Sequence, residues 1–178
     1  MIKNIVFTAT MVLMFFYSSK AFRFYEPDAS QGATIKWYDY LSIDARVALK
    51  FPGLYEEKKQ LTANGTLISV KCITDDDQYM FSANVHVIPF PDPLATIKLM
   101  MDNNIRNKGA TLVKETDYIY KTYTGKEAVF KDMSGTYFYR GLIINNIIYQ
   151  MLVFTGKEDI MTTVLAYFNS FEYKGQKK

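Results

Sequence analysis

Apolar and polar residues alternate along much of the chain, which is the pattern of β-strands with one buried face. In Arg46–Phe51 the alternation places Val47, Leu49 and Phe51 on one face. A longer strand has an inward face of Tyr79, Phe81, Ala83, Val85 and Val87, with Met80, Ser82, Asn84 and His86 opposite. The same pattern predicts further strands at 37–40, 56–62, 111–123, 127–133, 136–144, 147–155 and 170–174, and one that buries Ile68, Val70 and Cys72.

Turn signals separate the strands by hairpin lengths. Asn64-Gly65 is the strongest short hairpin signal of the chain, and it follows the polar, edge-like run 56–62. The next turn is the acidic run Asp75-Asp76-Asp77, and Ser134-Gly135 and Asn145-Asn146 mark two later ones. Consecutive strands are therefore expected to pair in antiparallel fashion.

Two segments have helical periodicity. Asp92-Pro93 provides an N-cap followed by proline at the first helical position, and Gly109 ends the element. Its apolar stripe consists of Leu94, Ile97, Met101 and Ile105. The capping-box spacing of Thr155–Glu158 predicts the start of a second helix, with a buried stripe of Ile160, Val164, Tyr167 and Phe168. The order of strands, helix, strands and helix predicts an α+β domain with helices packed on an antiparallel sheet.

The first 21 residues have the organisation of an export signal. Lys3 gives a basic start, Ile5–Tyr17 is mostly apolar, and Ser19 and Ala21 are the small residues that precede a cleavage site. An apolar helix of this length spans roughly 20 Å, short of the ~30 Å bilayer core. We therefore expect cleavage after Ala21, a periplasmic or secreted product and no stable membrane span after signal removal. Residues 22–36 are predicted to be a flexible leader, 37–174 the domain and 175–178 a basic tail.

The charge balance argues against a nucleic-acid partner. Of the 21 Lys and Arg residues two lie in the signal, which leaves 19 against 18 acidic residues. A mature chain so close to neutrality lacks the basic stripe that phosphate backbones require. The abundance of Lys, Ile and Asn over Arg is typical of a bacterium with an AT-rich genome.

Several landmarks occur in the order and spacing of a known family. They are Trp37-x-Tyr, Phe51-Pro52-Gly53, the Asn64-Gly65 hairpin, the Pro-capped helix, Gly125-Lys126-Glu127-Ala128, Arg140 with Asn145-Asn146 and Tyr149-Gln150, and Phe168-Asn169-Ser170-Phe171. Over residues 37–174 the chain resembles the PsbP-like family, relatives of the extrinsic photosystem II protein, whose fold is shared by a Ran-binding nuclear import factor. The resemblance implies a twisted antiparallel sheet sandwiched by helices, in an exported, non-enzymatic domain that docks to another component. It implies no photosystem role, because residues 22–36 lack the docking segment of the plant-type members.

Residues that could perform catalysis or bind zinc are few and separated. His86 is the only histidine and Cys72 the only cysteine, and strand alternation places them on opposite faces. A Cys–His dyad is thereby excluded, and zinc would need several such ligands on one surface. The sequence predicts no catalytic residue, no cofactor and no established metal ligand.

Two polar features remain as candidate sites, each with an alternative. Three consecutive carboxylates, Asp75, Asp76 and Asp77, could bind Ca²⁺, but they lack the spacing of a calcium loop, which favours an acidic hairpin turn kept soluble by its charge. A row of tyrosines could contact a partner or pack beneath the helices; its members are Tyr118, Tyr120, Tyr123, Tyr137 and Tyr139.

These observations favour an exported binding module for a protein or envelope partner. The alternative is a periplasmic carrier of a small ligand or a cation such as Ca²⁺, with Asp75–Asp77 or His86 at the rim of its pocket. An envelope hydrolase ranks last, because no nucleophile is placed beside a base.

Overall fold

The structure is a computed structural model, and it describes residues 35–75 and 77–175. The predicted signal peptide 1–21, nearly all of the leader 22–36, Asp76 and the last three residues of the basic tail lie outside the described residues.

The described chain forms ten strands and two helices. In chain order they are β1 (Tyr38–Ser42), β2 (Val47–Phe51), β3 (Tyr55–Thr62), β4 (Gly65–Ile73), β5 (Asp77–His86), α1 (Pro93–Asn107), β6 (Thr111–Tyr120), β7 (Tyr123–Lys131), β8 (Thr136–Ile144), β9 (Ile147–Thr155), α2 (Met161–Asn169) and β10 (Glu172–Tyr173). Seven strands form an antiparallel sheet in the order β3-β4-β5-β9-β8-β7-β6, and β1, β2 and β10 form a small second sheet. The predicted α+β class is confirmed.

Both faces of the large sheet are covered. Helix α1 packs on β7 and β8, where its buried Met101 belongs to a cluster with Phe130 and Tyr139. Helix α2 and the small sheet cover the opposite face, where Tyr167 of α2 lies 5.4 Å from the ring of Tyr79. We call these the α1 face and the α2 face. The sandwich of helices about a sheet agrees with the predicted fold.

Because both faces of the large sheet are covered, β5 is buried on both sides and not on one side as predicted. Tyr79, Phe81 and Ala83 are buried on the α2 face as predicted, but Met80 and Asn84 on the other face are buried as well. Alternation identifies the two faces of a strand, whereas a helix on each side buries both. Val87, predicted to point inward, lies beyond the end of β5 and is exposed.

Several further boundaries differ from the prediction, and the strand predicted at 127–133 runs from Tyr123 to Lys131. The strand predicted at 111–123 ends at Tyr120, because Lys121 takes a left-handed conformation (φ 55°) and turns the chain. The Thr155–Glu158 capping box does not start the second helix. Thr155 is the last residue of β9 and its hydroxyl accepts a hydrogen bond from the Lys157 amide (2.9 Å). Helix α2 begins at Met161, and no side chain caps its N-terminus.

Candidate functional site

The tyrosine row predicted from the sequence divides between the two faces. Tyr118, Tyr120 and Tyr123 lie on the α2 side of β6 and β7 and are partly exposed. Tyr137 and Tyr139 lie on the α1 face and are buried. The structure therefore places three of the five tyrosines where a partner could contact them.

Tyr120 belongs to an aromatic cluster that closes the small sheet against β6. Its hydroxyl accepts a hydrogen bond from the Tyr173 amide (3.0 Å), and its ring meets Phe171 edge-on at 5.2 Å. Phe171 also contacts the ring of Tyr149, whose hydroxyl donates to the carbonyl of Ala45 (2.7 Å). Burial raises the pKa of Tyr149, so this hydroxyl stays protonated and acts as a fixed structural donor.

The most strongly bonded charged residue is Arg140, to which the sequence analysis assigned no site role. Its guanidinium pairs with Glu127 (Nη2 to Oε1, 2.6 Å) and donates to the carbonyl of Phe168 (3.0 Å). The ring of Tyr118 lies 4.1 Å from the guanidinium carbon. Because Phe168 is in the last turn of α2, Arg140 satisfies that helix end and complements its dipole. The available sequence signal was an arginine within a mostly apolar predicted strand.

A second polar group is buried between α1 and the sheet. Asn104 donates from Nδ2 to Oε1 of Gln150 (3.0 Å), which also accepts from the Tyr139 hydroxyl (3.4 Å). Two neighbouring buried atoms, Oδ1 of Asn84 and Nε2 of His86, have no hydrogen-bond partner among the described residues. The group is internal and holds α1 in position on the sheet.

His86 and Cys72 lie far apart, in agreement with their predicted separation. Cys72 is opposite Tyr79 in the β4–β5 register and His86 is opposite Gly65, seven positions away, or about 23 Å. Burial raises the pKa of the Cys72 thiol to about 11 and lowers the pKa of His86, which packs on Phe90 at 4.5 Å. Neither group has the setting of an activated nucleophile or base.

The acidic run does not form a convergent set of ligands in the part of the chain that the structure describes. Asp75 is exposed, whereas Asp77 is buried at the start of β5 with Oδ2 3.9 Å from Nζ of Lys157. Asp76 lies outside the described residues. Across 35–75 and 77–175 no three His, Cys, Asp or Glu side chains are grouped in a way that would hold a metal ion.

Several loops meet at one end of the large sheet. The amide of Val87, just after β5, donates to the carbonyl of Asn64 in the β3–β4 turn (3.3 Å). The amide of His86 donates to the carbonyl of Asn146 in the β8–β9 turn (3.0 Å). These bonds hold the end of β5 between the two turns.

The small sheet joins the same end. Asn145 donates from Nδ2 to the hydroxyl of Tyr173 (2.8 Å), and the amide of Lys174 donates to the carbonyl of Arg46 (2.8 Å). Tyr173 in turn bonds Tyr120, which precedes the β6–β7 turn. We call this end the turn end, and it comprises residues 43–46, 61–64, 87–92, 119–123, 145–146 and 172–175.

The turn end exposes both aliphatic and basic side chains. Ile43, Leu61, Val87 and Ile88 are 86%, 84%, 75% and 67% exposed, respectively. Arg46, Lys121 and Lys174 are the basic residues of its loops. Large aliphatic side chains this exposed, on separate loops that hydrogen bonds hold together, form a candidate contact surface.

None of the known protein-family models matches the chain. No curated protein sequence matches it significantly either. No helix within 35–75 and 77–175 combines the length and the apolarity needed to cross a membrane.

The chain does match solved structures. Cyanobacterial PsbP (CyanoP) from Synechocystis sp. PCC 6803 superimposes with a TM-score of 0.54 at 9% sequence identity, covering 83% of this chain and 98% of that one. PA94 from Pseudomonas aeruginosa, a protein of unknown function, has a TM-score of 0.42 at 12% identity, covering 75% of this chain and 92% of its own. The first similarity shows that the described domain has a PsbP-like fold.

Proposed function

We propose that this chain is an exported, non-enzymatic domain that docks to a protein or to another component of the cell envelope. The export signal that the sequence predicts at 1–21 supports a periplasmic or secreted location. The PsbP-like fold and the sequence resemblance support a docking role.

One observation carries the proposal. The side chains that could have formed a catalytic or metal site lie apart or are bonded within the fold, whereas the turn end exposes Ile43, Leu61, Val87 and Ile88 on segments that hydrogen bonds hold together. Arg140 is bonded to Glu127 and to the end of α2, and His86 and Cys72 occupy different faces. Proteins that act on bound molecules through chemistry instead bring such groups together in one cleft.

The experiment is site-specific photo-cross-linking in the envelope of the source cells. A photoreactive amino acid replaces Lys121 at the turn end or, as the matched control, exposed Glu158 after β9. We expect adducts with one envelope component from position 121 and none from position 158. Equal adducts from both positions, or none from either, would contradict docking through the turn end.

The cation-carrier alternative has its own measurement. Calcium that bound at Asp75–Asp77 would raise the melting temperature of the purified protein, since a ligand that binds only the folded state stabilises it. The docking proposal expects no shift at millimolar calcium. A shift that Asp77→Asn removes would favour the carrier instead.

A further inference from the structure

We propose that the turn end is a membrane-docking surface, which places the aliphatic tips of its loops against the headgroups of an anionic lipid bilayer. The inference rests on the proposed docking function and names the partner for it. Three properties of the described residues support it: the position of the apolar tips, the distribution of charge and the placement of amphipathic aromatic residues.

The apolar tips stand on separate loops that face the same end of the molecule. Ile43 lies in the β1–β2 turn, Leu61 at the end of β3, and Val87 and Ile88 in the loop between β5 and α1. Leu61 and Val87 are two strands apart across the sheet, or about 10 Å. Insertion of such tips removes apolar surface from water without any change of fold.

The turn end keeps two cations for an anionic surface. Its loops carry the bases Arg46, Lys121 and Lys174 and the acids Asp44, Asp92 and Glu172. The acids are bonded within the protein, and because two of them pair with Lys59 and Lys174, Arg46 and Lys121 are the cations that remain. Asp44 pairs with Lys59 (2.9 Å), Glu172 pairs with Lys174, and Asp92 accepts the amide of Ala95 at the start of α1 (2.9 Å).

The opposite end of the sheet is more acidic. Its loops carry Asp75, Asp132, Glu158 and Asp159 against the bases Lys108 and Lys157. An anionic bilayer attracts basic residues near its surface and repels carboxylates, within about a Debye length. The asymmetry therefore orients the domain with the turn end toward the lipid.

The turn end also carries aromatic residues of the kind found at membrane interfaces. Tyr120, Tyr123 and Tyr173 are partly exposed there, and the ammonium of Lys121 lies 5.3 Å from the ring of Tyr120. Tyrosine has an apolar ring and a polar tip, and it is enriched at membrane interfaces for that reason. Tyr120 and Tyr123 are two of the three predicted partner-contacting tyrosines that the structure leaves accessible, and Tyr173 comes from β10.

The shape of the turn end favours lipid over a protein partner. A rigid protein would need a matching pocket for each separate tip, and protein hot spots are mostly Trp, Tyr and Arg in packed pockets. A fluid bilayer instead deforms around isolated tips. Aliphatic residues on protruding loops combined with flanking cations provide the two weak signals that peripheral membrane binding combines.

Vesicle sedimentation tests the proposal. The chain purified after export, with the start after Ala21 verified by mass spectrometry, is mixed with phosphatidylcholine vesicles or with vesicles that also contain phosphatidylglycerol. We expect binding only to the anionic vesicles, weakening as salt is raised. Lys121→Glu should weaken binding about thirtyfold, because it changes the local charge by two. Lys131→Glu, at an exposed position near the opposite end, should leave binding within about threefold of the wild type.

A fluorescent label reports on insertion directly and does not depend on charge. An environment-sensitive dye is attached to Ile88→Cys or, as the control, to Leu54→Cys, whose leucine is 75% exposed in the loop before β3. Cys72 is buried and does not compete for the dye. We expect a blue shift with anionic vesicles from position 88 only. The unfolding midpoint of every variant is measured, so that loss of folding is not taken for loss of binding.

Three outcomes would overturn the proposal. They are equal binding to neutral and anionic vesicles, wild-type binding by Lys121→Glu, and equal dye shifts at positions 54 and 88. If the protein does not bind the vesicles but position 121 cross-links to an envelope protein, the lipid inference is wrong and the docking function stands. If neither vesicles nor cross-linking gives a signal, both are wrong.

Discussion

Arg140 is the residue whose removal should most damage the fold. It is 5% exposed, its pair with Glu127 joins β7 to β8, and its bond to the Phe168 carbonyl fixes the end of α2. Arg140→Met leaves Glu127 without its cation and removes one hydrogen bond from the last turn of α2. We expect a loss of about 3 kcal/mol in the free energy of unfolding, measured by urea denaturation.

Lys50→Met is the matched control for Arg140. The Lys50–Asp39 pair is 3.7 Å long and both side chains are mostly exposed, so its loss should cost less than about 0.5 kcal/mol. Equal effects of the two substitutions would show that the Arg140 network contributes little to stability.

His86 should make stability depend on pH in a defined window. Burial lowers its pKa in the folded chain, so the unfolded chain binds more protons as the pH falls below the ordinary histidine value. The stability contributed by neutral His86 is present above about pH 6.5 and is lost as the pH falls through the lowered folded pKa. We expect the free energy of unfolding to decrease from pH 7 toward pH 5, by less than about 1.4 kcal/mol per pH unit.

The pH effect has a direct control, because His86 is the only histidine of the chain. His86→Asn should flatten the dependence between pH 5 and pH 7. The hydrogen bond with Lys126 lowers the pKa of Glu115. Carboxylates of this kind therefore lose their contribution to stability at a lower pH than His86 does. An unchanged slope in His86→Asn would assign the dependence to other groups.

The β4–β5 hairpin depends on glycine where β4 begins. Gly65 has φ 148° and pairs with His86, and a Cβ there would overlap the carbonyl oxygen of Val85. Gly65→Ala should therefore cost about 2–3 kcal/mol in the free energy of unfolding. Gly156→Ala is the control, because the nearest atom to its Cβ, the Ser134 oxygen, is 3.9 Å away and its φ is not positive. The control should change stability by less than about 0.5 kcal/mol, and a similar loss in both variants would contradict the steric argument.

Local sequence chemistry predicted most elements but not every boundary. The strands at 136–144 and 147–155 were predicted to the residue, because Asn145 and Asn146 readily adopt the left-handed conformation that their turn requires (φ 46° and 64°). The β6–β7 turn was missed because a lysine occupies its left-handed position. Thr155 was also predicted to cap the second helix, but its pairing with Thr136 and Asp77, a contact distant in sequence, makes it only the last residue of β9.

The candidate site was harder to predict than the fold, because it depends on where distant loops meet. The sequence identified Tyr120 and Tyr123, but it could not separate them from buried Tyr137 and Tyr139. That separation depends on which face α1 covers. The turn end likewise consists of loops from positions 43 to 175, and only the tertiary hydrogen bonds place Arg46 beside Lys174.

At the scale of the whole molecule, the double-sided core should make Cys72 a reporter of global unfolding. Its side chain is buried on the α2 face of β4, between β3 and β5, and its raised pKa leaves little thiolate at pH 8. A domain with the usual stability of at least about 5 kcal/mol should react with a thiol reagent at least about a thousandfold more slowly than the unfolded chain. The measurement compares labelling rates with and without denaturant.

The Ile88→Cys variant supplies the internal reference for that rate, since it should take up one label at once and the second at the rate of Cys72. Labelling of Cys72 that follows the global free energy of unfolding would show that the sheet opens as one unit. Labelling faster than global unfolding would contradict this prediction, and it would indicate that the charged edge strand β3 separates locally from β4. Because Leu61 of the turn end lies on β3, local opening of that kind would also move part of the proposed docking surface.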